Sequence, residues 1–263
     1  MDKRPIGVFD SGLGGLTVLE KLLDRMPKEN YIYLADTKRA PYGGQSPQAI
    51  LSYTRQIVDY FISQDVKAIV IACNTAASYG YEHVVEKYDL PIISVLKGGA
   101  DSVLEKDKSL LVFATEATVR SSSYKKAIEE RFDKRQVYQV ACPKIVPLIE
   151  AGAGDEAREK ELVKTYVDQA LTYDFDTVIL GCTHYPIWEK YFKEFLPAKT
   201  RIIDPAIETA LSTEKVLRSR GLLNENEGPG QVEYRTTGND NQFKKNLSNV
   251  FKIESKNITK IKL

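Results

Sequence analysis

The amino-acid sequence predicts an α/β protein in which two pseudo-symmetric domains, each an open parallel sheet, face each other across a cleft. Short apolar runs alternate with helical patterns along the chain, and this alternation restarts near residue 110. Residues 70–75 also resemble residues 179–184, because each segment is an apolar run that ends in a cysteine and opens a polar turn. The two cysteines are separated by roughly the length of one small domain, which indicates a duplicated unit.

Four apolar runs in the first half of the chain are short enough to be buried strands. They cover residues 6–9, 31–35, 68–72 and 91–95. The third run is apolar at every position, as a strand in a parallel sheet covered on both faces requires. Two helices are predicted between these runs. Leu16, Leu19 and Leu23 mark one face of the first helix. The second helix starts after the capping pair Ser46-Pro47, and its apolar residues are Ile50, Ile57, Val58 and Phe61.

The second half repeats this order of strands and helices. Strands are predicted at residues 110–113, 137–141, 177–180 and 201–203, with helices around Tyr124, Ile128 and Phe132 and around Leu162, Val163, Tyr166, Ala170 and Leu171. A further strand is predicted at 232–237 and a further helix at 239–249, in a tail rich in lysine.

The restart of the pattern and the late tail define two domains. We expect residues 1–96 together with 207–263 to form the first domain, which carries Cys73. Residues 97–206 are expected to form the second domain, which carries Cys182.

Composition and charge narrow the class of protein. The 37 basic and 36 acidic side chains almost cancel, so no overall field favours binding to nucleic acid or to a membrane. No apolar stretch is long enough for a signal peptide or a membrane span, and we expect a cytoplasmic protein. Three cysteines without a C-x-x-C pair are not typical of a disulfide framework or a zinc site. No motif indicates another cofactor, so we predict that none is used.

Polar residues follow most of the predicted strands at the point where each strand ends. Ligands of an open α/β sheet bind beyond the carboxyl ends of its strands, so we expect these residues to meet in one cleft. In the first domain these segments are Asp10-Ser11-Gly12, Asp36-Thr37, Pro41-Tyr42-Gly43 and Cys73-Asn74-Thr75. In the second domain they are residues 115–118, from Thr115 to Thr118, together with Cys142-Pro143 and Cys182-Thr183-His184.

Cys73 and Cys182 are the side chains on which the chemistry is expected to depend. A cysteine that ends a strand and opens a helix lies near free N–H groups, which lower the thiol pKa and also bind a carboxylate. Two thiols on opposite walls of a cleft are suited to inverting a carbon centre, because one removes the proton from Cα and the other delivers a proton to the opposite face. Asp10 and His184 are candidates to orient a thiol or to move its proton. Cys142 precedes a proline and an apolar run and is expected to be structural.

The glycines at positions 12, 14 and 15 permit an alternative hypothesis. With Asp36 about twenty residues further on, they partly match a dinucleotide-binding fingerprint. The third glycine of that fingerprint would fall at Thr17, and Asp10 would lie close to the pyrophosphate. The dinucleotide site is therefore the less favoured interpretation.

Taken together, these motifs resemble those of the glutamate racemase family, within the aspartate/glutamate racemase superfamily. The similar segments lie in the family's order and extend over nearly the whole chain. They are residues 7–15, 36–43, 72–76 (Ala-Cys-Asn-Thr-Ala), 141–150, 180–186 (Leu-Gly-Cys-Thr-His-Tyr-Pro) and 236–238.

The resemblance implies an enzyme that interconverts L-glutamate and D-glutamate without a cofactor and supplies D-glutamate for bacterial peptidoglycan. It implies that Cys73 is the base toward the D-enantiomer, assisted by Asp10. It likewise implies that Cys182 is the base toward the L-enantiomer, assisted by His184 and Glu150. The substrate contacts that it implies are Asp10, Ser11, Tyr42, Gly43, Asn74, Thr75, Thr183 and His184, with Thr115 and Thr118 as further contacts.

Two other functions stay open at this point. A racemase of the same superfamily that acts on aspartate or another amino acid would use the same pair of thiols. A non-catalytic protein that binds a partner such as DNA gyrase is a different class, and the family members that do so often have an extended N-terminus, whereas the first strand here is predicted to start at residue 6. The sequence does not determine the oligomeric state, and a homodimer is compatible with it.

Overall fold

Two parallel β-sheets organise the chain in the computed structural model, which describes residues 2–133, 135–152, 154–225, 227–254 and 258–263. The described strands are β1 (Ile6–Asp10), β2 (Tyr31–Ala35), β3 (Ala68–Ile71), β4 (Ile92–Ser94), β5 (Ser109–Ala114), β6 (Gln136–Ala141), β7 (Thr177–Gly181), β8 (Arg201–Ile203), β9 (Val232–Thr236) and β10 (Ile258–Lys260). The described α-helices are α1 (Leu16–Arg25), α2 (Pro47–Ser63), α3 (Asn74–Val85), α4 (Val95–Asp101), α5 (Glu116–Ser121), α6 (Ser123–Glu129), α7 (Ile145–Glu150), α8 (Glu156–Ala170), α9 (Glu189–Phe195), α10 (Pro205–Ser219) and α11 (Asp240–Phe251). Short 3₁₀ turns lie at Tyr42–Gly44 and Tyr185–Trp188.

The two sheets share the same strand order, which accounts for the local repeat in the sequence. The first runs β10-β9-β2-β1-β3-β4 and the second runs β6-β5-β7-β8, and every described strand pair is parallel. Strands β2-β1-β3-β4 therefore correspond in position to β6-β5-β7-β8. The tail adds β9 and β10 beyond β2, so it extends the first sheet.

Local sequence explains most of the elements that position the site. Strands β1, β3 and β7 are buried at every residue, as expected for central parallel strands covered by helices. The side chain of Ser46 accepts a hydrogen bond from the N–H of Ala49, and Pro47 occupies the first turn, so α2 begins where the sequence predicts. In contrast, β10 was not predicted, because an edge strand of three residues with little burial has no clear pattern.

A continuous buried core joins the two halves of the chain. One cluster of buried side chains includes Phe9 and Ile71 from the first sheet and Val112 and Ile179 from the second. The predicted domain boundaries, at residues 96/97 and 206/207, both fall inside helices, since α4 covers the first and α10 covers the second. The exact domain limits stay a prediction.

None of the helices that the structure describes combines the length and the apolar character needed to cross a lipid bilayer.

Candidate active site

A cavity of about 160 Å³ lies at the carboxyl ends of strands from both sheets. Drug-sized ligands occupy pockets of roughly 300–1,000 Å³, so this cavity is suited to a smaller molecule. It is lined by Ser11, Pro41, Tyr42, Gly43, Gly44, Cys73, Asn74, Thr75, Thr115, Glu116, Cys142, Pro143, Val146, Pro147, Cys182, Thr183 and His184.

The two thiols Cys73 and Cys182 line this same cavity from opposite halves of the chain. Cys73 follows the central strand β3 and caps the start of α3, and Cys182 follows the corresponding strand β7. Each residue is only 5% exposed. The predicted convergence of strand-end loops therefore brings both sulfur atoms to one small space.

Cys73 lies among hydrogen-bond donors but is deeply buried. Its Sγ is 3.6 Å from the Oγ of Ser11 and accepts a hydrogen bond from the N–H of Ala76 at 3.5 Å. Burial, followed by the charge of Asp10, nevertheless raises the pKa of the Cys73 thiol to about 12. The expectation of a lowered thiol pKa at a helix start is therefore wrong for Cys73, because these few hydrogen bonds do not offset the desolvation of the thiolate.

Cys182 is connected to an acidic residue through one histidine. Its Sγ is 3.9 Å from His184 Nδ1, and His184 Nε2 is 3.0 Å from Glu150 Oε1. Burial by itself lowers the pKa of the His184 imidazolium, but the hydrogen bonds to Cys182 and Glu150 outweigh it and raise that pKa well above its ordinary value. For Glu150, burial acts to raise the carboxyl pKa, yet the His184 partner lowers it overall. The arrangement favours a protonated imidazole beside the sulfur of Cys182.

Asp10 links the two halves of the site. It ends β1, and its carboxylate accepts hydrogen bonds from the Thr183 hydroxyl at 3.2 Å and from the N–H of Gly12 at 2.8 Å. Burial raises the pKa of the Asp10 carboxyl, and the neighbouring His184 partly opposes this effect. Asp10 is 1% exposed and lies behind the cavity wall, so it acts on the cavity through its neighbours.

Two glycines in the loop between β1 and α1 lie against side chains of the second half of the chain. A Cβ atom added at Gly12 would overlap Glu150 Oε1, and one added at Gly14 would overlap His184 Nδ1 and Thr183 Oγ1. These glycines therefore allow the first half of the chain to approach the side chains of the second half closely.

Three threonines form a hydroxyl cluster between the halves. Thr75 at the start of α3 lies 2.8 Å from Thr115 and 3.3 Å from Thr118, measured between Oγ1 atoms, and Thr115 is 3.0 Å from Thr118. Thr75 and Thr115 line the cavity, whereas Thr118 is fully buried behind them.

Tyr42 and Gly43 form part of the wall, but the Tyr42 hydroxyl is already engaged. It donates a short hydrogen bond to Asp36, which also accepts a hydrogen bond from the Thr237 hydroxyl at 2.7 Å. A Cβ atom at Gly43 would lie 2.9 Å from Thr115 Cβ, so this position needs glycine for close packing across the cavity.

The structure thus places most of the predicted site residues around one cavity. Asp10, Thr118 and Glu150 stand outside the lining, each one hydrogen bond from a residue that belongs to it. Cys142, predicted to be structural, is part of the lining and fully buried, and its thiol donates to the carbonyl of Val140 at 3.7 Å. Pro41, Glu116 and Pro143 also line the cavity, and residue-by-residue reasoning placed them in the strand-end clusters without giving them a role. That reasoning missed Gly44, Val146 and Pro147, because small and apolar residues carry no chemical signal in a single sequence.

Within the part of the chain that the structure describes, no three His, Cys, Asp or Glu side chains are grouped closely enough to hold a metal ion.

Proteins of known family resemble this chain in sequence. The family model described as Asp/Glu/Hydantoin racemase matches residues 6–212 of this chain. A glutamate racemase from Thermoanaerobacter pseudethanolicus is 42% identical over 247 residues, which cover 92% of this chain and 91% of the relative.

Solved structures give the same result over the full length. Glutamate racemase isoform RacE1 from Bacillus anthracis is similar with a TM-score of 0.96 and 32% identity, covering 100% of this chain and 99% of that protein. Glutamate racemase from Francisella tularensis in complex with D-glutamate is similar with a TM-score of 0.93 and 32% identity, covering 100% of this chain and 98% of that protein. This likeness confirms the predicted fold class of two parallel-sheet α/β domains.

Proposed function

Because the chain belongs to the Asp/Glu/hydantoin racemase family, we propose that it interconverts L-glutamate and D-glutamate with Cys73 and Cys182 as its acid and base. The predicted enzyme class, glutamate racemase, is confirmed by relatives and solved structures that match over nearly the whole chain. The observation that carries the mechanism is that the two thiols reach one cavity from corresponding strands of two similarly ordered sheets.

In the L-to-D direction, the thiolate of Cys182 takes the proton from Cα, and the electron pair of that C–H bond stays on Cα. The thiol of Cys73 then donates its proton to the opposite face, which yields D-glutamate, a Cys182 thiol and a Cys73 thiolate. That product state is the starting state for the D-to-L direction. The high pKa of Cys73 supports its assignment as the thiol that donates in the first direction.

The neighbouring groups support this division of roles. A protonated His184, held by Glu150, stabilises negative charge on Cys182. We assign Asp10 to assist Cys73, because its charge raises the pKa of that thiol and so favours the protonated form that donates in the L-to-D direction. We therefore assign these three residues to proton handling and orientation.

Glutamate is the proposed substrate because a similar protein, the racemase from Francisella tularensis, is described in complex with D-glutamate. Hydroxyl and amide groups of Ser11, Asn74, Thr75, Thr115 and Thr183 line the cavity and suit a ligand with two carboxylates. No cofactor enters this mechanism. We further propose that the enzyme is cytoplasmic and that its D-glutamate supplies peptidoglycan synthesis, and a homodimer stays a prediction.

The test is polarimetry or circular dichroism of purified protein with L-glutamate, D-glutamate and L-aspartate in separate reactions. Both glutamate enantiomers should decay to the racemate, and L-aspartate should be turned over much more slowly. Comparable turnover of aspartate would favour the alternative racemase, and no turnover of any of the three would favour a binding protein.

The two-thiol step is tested with Cys73→Ser and Cys182→Ser. A serine hydroxyl is far less acidic than a thiol in the same surroundings, so neither variant retains an acid and base pair and either change should abolish racemisation. Because enantiomers have equal free energy, kcat/KM is the same in both directions, and the facial roles must be separated by a half-reaction.

A substrate analogue that loses a β-substituent after Cα–H removal needs only one base. Cys73→Ser should therefore still eliminate from the L-analogue, and Cys182→Ser should still eliminate from the D-analogue. Racemisation by either variant near the wild-type rate would refute the two-thiol mechanism, whereas reversed elimination preferences would refute only the facial assignment.

A further inference from the structure

A buried tyrosine of the second half is hydrogen-bonded to an amide that lines the cavity from the first half. Tyr124, in α6, is fully buried, and its hydroxyl donates to Oδ1 of Asn74 at 2.6 Å. Asn74 is the first residue of α3 and stands next to Cys73 in the cavity wall.

The chemistry of the pair selects one orientation of the amide. A tyrosine hydroxyl carries one hydrogen, and a buried donor without an acceptor is unfavourable. Among the described residues, Asn74 is the only hydrogen-bond partner of this hydroxyl. If the amide were reversed, Nδ2 would donate to the tyrosine oxygen and the phenolic hydrogen would have no acceptor. Oδ1 must therefore face Tyr124, which leaves the Nδ2 hydrogens for the cavity side.

The rest of the asparagine is consistent with this orientation. In the described part of the chain, no protein acceptor lies within hydrogen-bond distance of Asn74 Nδ2. The unpaired polar atoms that are fully buried in the described chain do not include this nitrogen, so Nδ2 is accessible. It is accessible from the cavity that Asn74 lines. An exposed N–H pair at this position is suited to a carboxylate oxygen.

Two glycines leave the space that the side chain of Tyr124 occupies. A Cβ atom at Gly99 would lie 2.8 Å from the tyrosine oxygen, and one at Gly181, just before Cys182, would lie 3.0 Å from ring atom Cε2. Larger residues at either position would displace the ring. Burial also raises the pKa of the Tyr124 hydroxyl well above its ordinary value, so the group stays a donor.

We propose that Tyr124 is a positioning residue that fixes the Asn74 amide with its N–H pair toward the substrate carboxylate. The proposal rests on the proposed function for the identity of the substrate. It assigns a role in substrate binding to a residue that does not touch the substrate.

The variant Tyr124→Phe removes only the hydroxyl. Without the donor, the amide is free to present its oxygen to the anionic substrate, so KM for both glutamate enantiomers should rise about tenfold while kcat changes less than about threefold. The matched control is Tyr79→Phe, which also removes one tyrosine hydroxyl that connects the two halves of the chain. The Tyr79 hydroxyl, on α3, donates a hydrogen bond to the carbonyl of Ala117 in the second half at 2.8 Å. The control should lower thermal stability to a similar degree and leave KM unchanged.

A double-mutant cycle separates positioning from general damage. If Tyr124 acts through Asn74, then Tyr124→Phe should add no further increase in KM to the variant Asn74→Ala. An unchanged KM in Tyr124→Phe, an equal rise in Tyr79→Phe, or additive effects with Asn74→Ala would each overturn the proposal.

Crystal structures of the wild type and Tyr124→Phe at better than about 1.2 Å distinguish the amide nitrogen from the oxygen. The nitrogen should face the cavity in the wild type, and both orientations should be present in the variant. A single, unchanged amide orientation in Tyr124→Phe would overturn the positioning role of Tyr124, whether or not the wild type racemises glutamate. A wild-type protein that does not racemise glutamate would overturn only the proposed function.

Discussion

Replacing Glu150 by glutamine should lower the pKa of His184 without changing the shape of the site. Glu150 Oε1 lies 3.0 Å from His184 Nε2, and the His184 side chain is only 3% exposed. Glutamine retains an oxygen that accepts from the imidazole, but it carries no charge. The variant therefore isolates the electrostatic contribution of the carboxylate.

The size of the change follows from the kind of hydrogen bond. A hydrogen bond to a charged group contributes about 1.5–3 kcal/mol, whereas a neutral one contributes about 0.5–1.5 kcal/mol. The difference of roughly 1–1.5 kcal/mol corresponds to about one pKa unit. We therefore expect the His184 imidazolium to titrate about one unit lower in Glu150→Gln than in the wild type.

The assay is an NMR titration of the histidine ring protons. The chain contains only His83 and His184, so two sets of signals are expected, and His83→Gln assigns them. His83 lies exposed on α3, and its signals serve as an internal control. A shift of His184 smaller than about 0.3 units would refute the reasoning, because it would mean that the Glu150 charge does not act on the imidazole.

The same change has a defined effect on stability across pH. The raised pKa of His184 gives stabilisation that is complete below its ordinary value of 6.5 and is lost as pH rises through the folded-state value. The lowered pKa of Glu150 gives stabilisation that is present above its ordinary value of 4.5 and is lost as pH falls through the folded-state value. The wild type should therefore exceed Glu150→Gln in Tm most clearly between pH 4.5 and 6.5, and the difference should shrink on both sides.

Three further substitutions test other parts of the site. Cys142→Ser should racemise glutamate within a few-fold of the wild-type rate, because a serine hydroxyl can donate to the same main-chain carbonyl, and a loss of activity would give Cys142 a catalytic role. Gly14→Ala should reduce kcat at least about 100-fold with an unchanged far-UV spectrum, because the added methyl group displaces His184, and near-normal kinetics would contradict the close approach. Thr75→Val should raise KM several-fold and lower Tm, because it removes the 2.8 Å contact between the hydroxyls of Thr75 and Thr115. Thr75→Ser keeps the hydroxyl and should keep KM and Tm near the wild-type values. A raised KM in Thr75→Ser would show that the hydroxyl does not contribute to substrate binding.

Much of the fold could be read from short stretches of sequence. The strands predicted at residues 31–35 and 201–203 match β2 and β8, and the other predicted strands of the two halves agree with β1 and β3–β7 to within a residue at either end. The agreement arises because buried parallel strands are apolar at every position and are separated by amphipathic helices, a pattern that local sequence carries by itself. The strand-end position of both cysteines followed directly from it.

Contacts between distant parts of the chain were decided only by the tertiary structure. The hydrogen bond between Tyr124 and Asn74 and the overlap that Gly14 avoids with His184 join residues far apart in sequence, and neither leaves a periodic or compositional trace.

The ionisation of the site was likewise beyond the sequence. A cysteine that opens a helix was expected to have a lowered pKa, but burial raises that of Cys73 to about 12. The sequence alone therefore determined that Cys73 and Cys182 end corresponding strands, since strand ends are a local property. Their protonation depends on desolvation and on partners from the other half of the chain, and these are set only when the two sheets pack together.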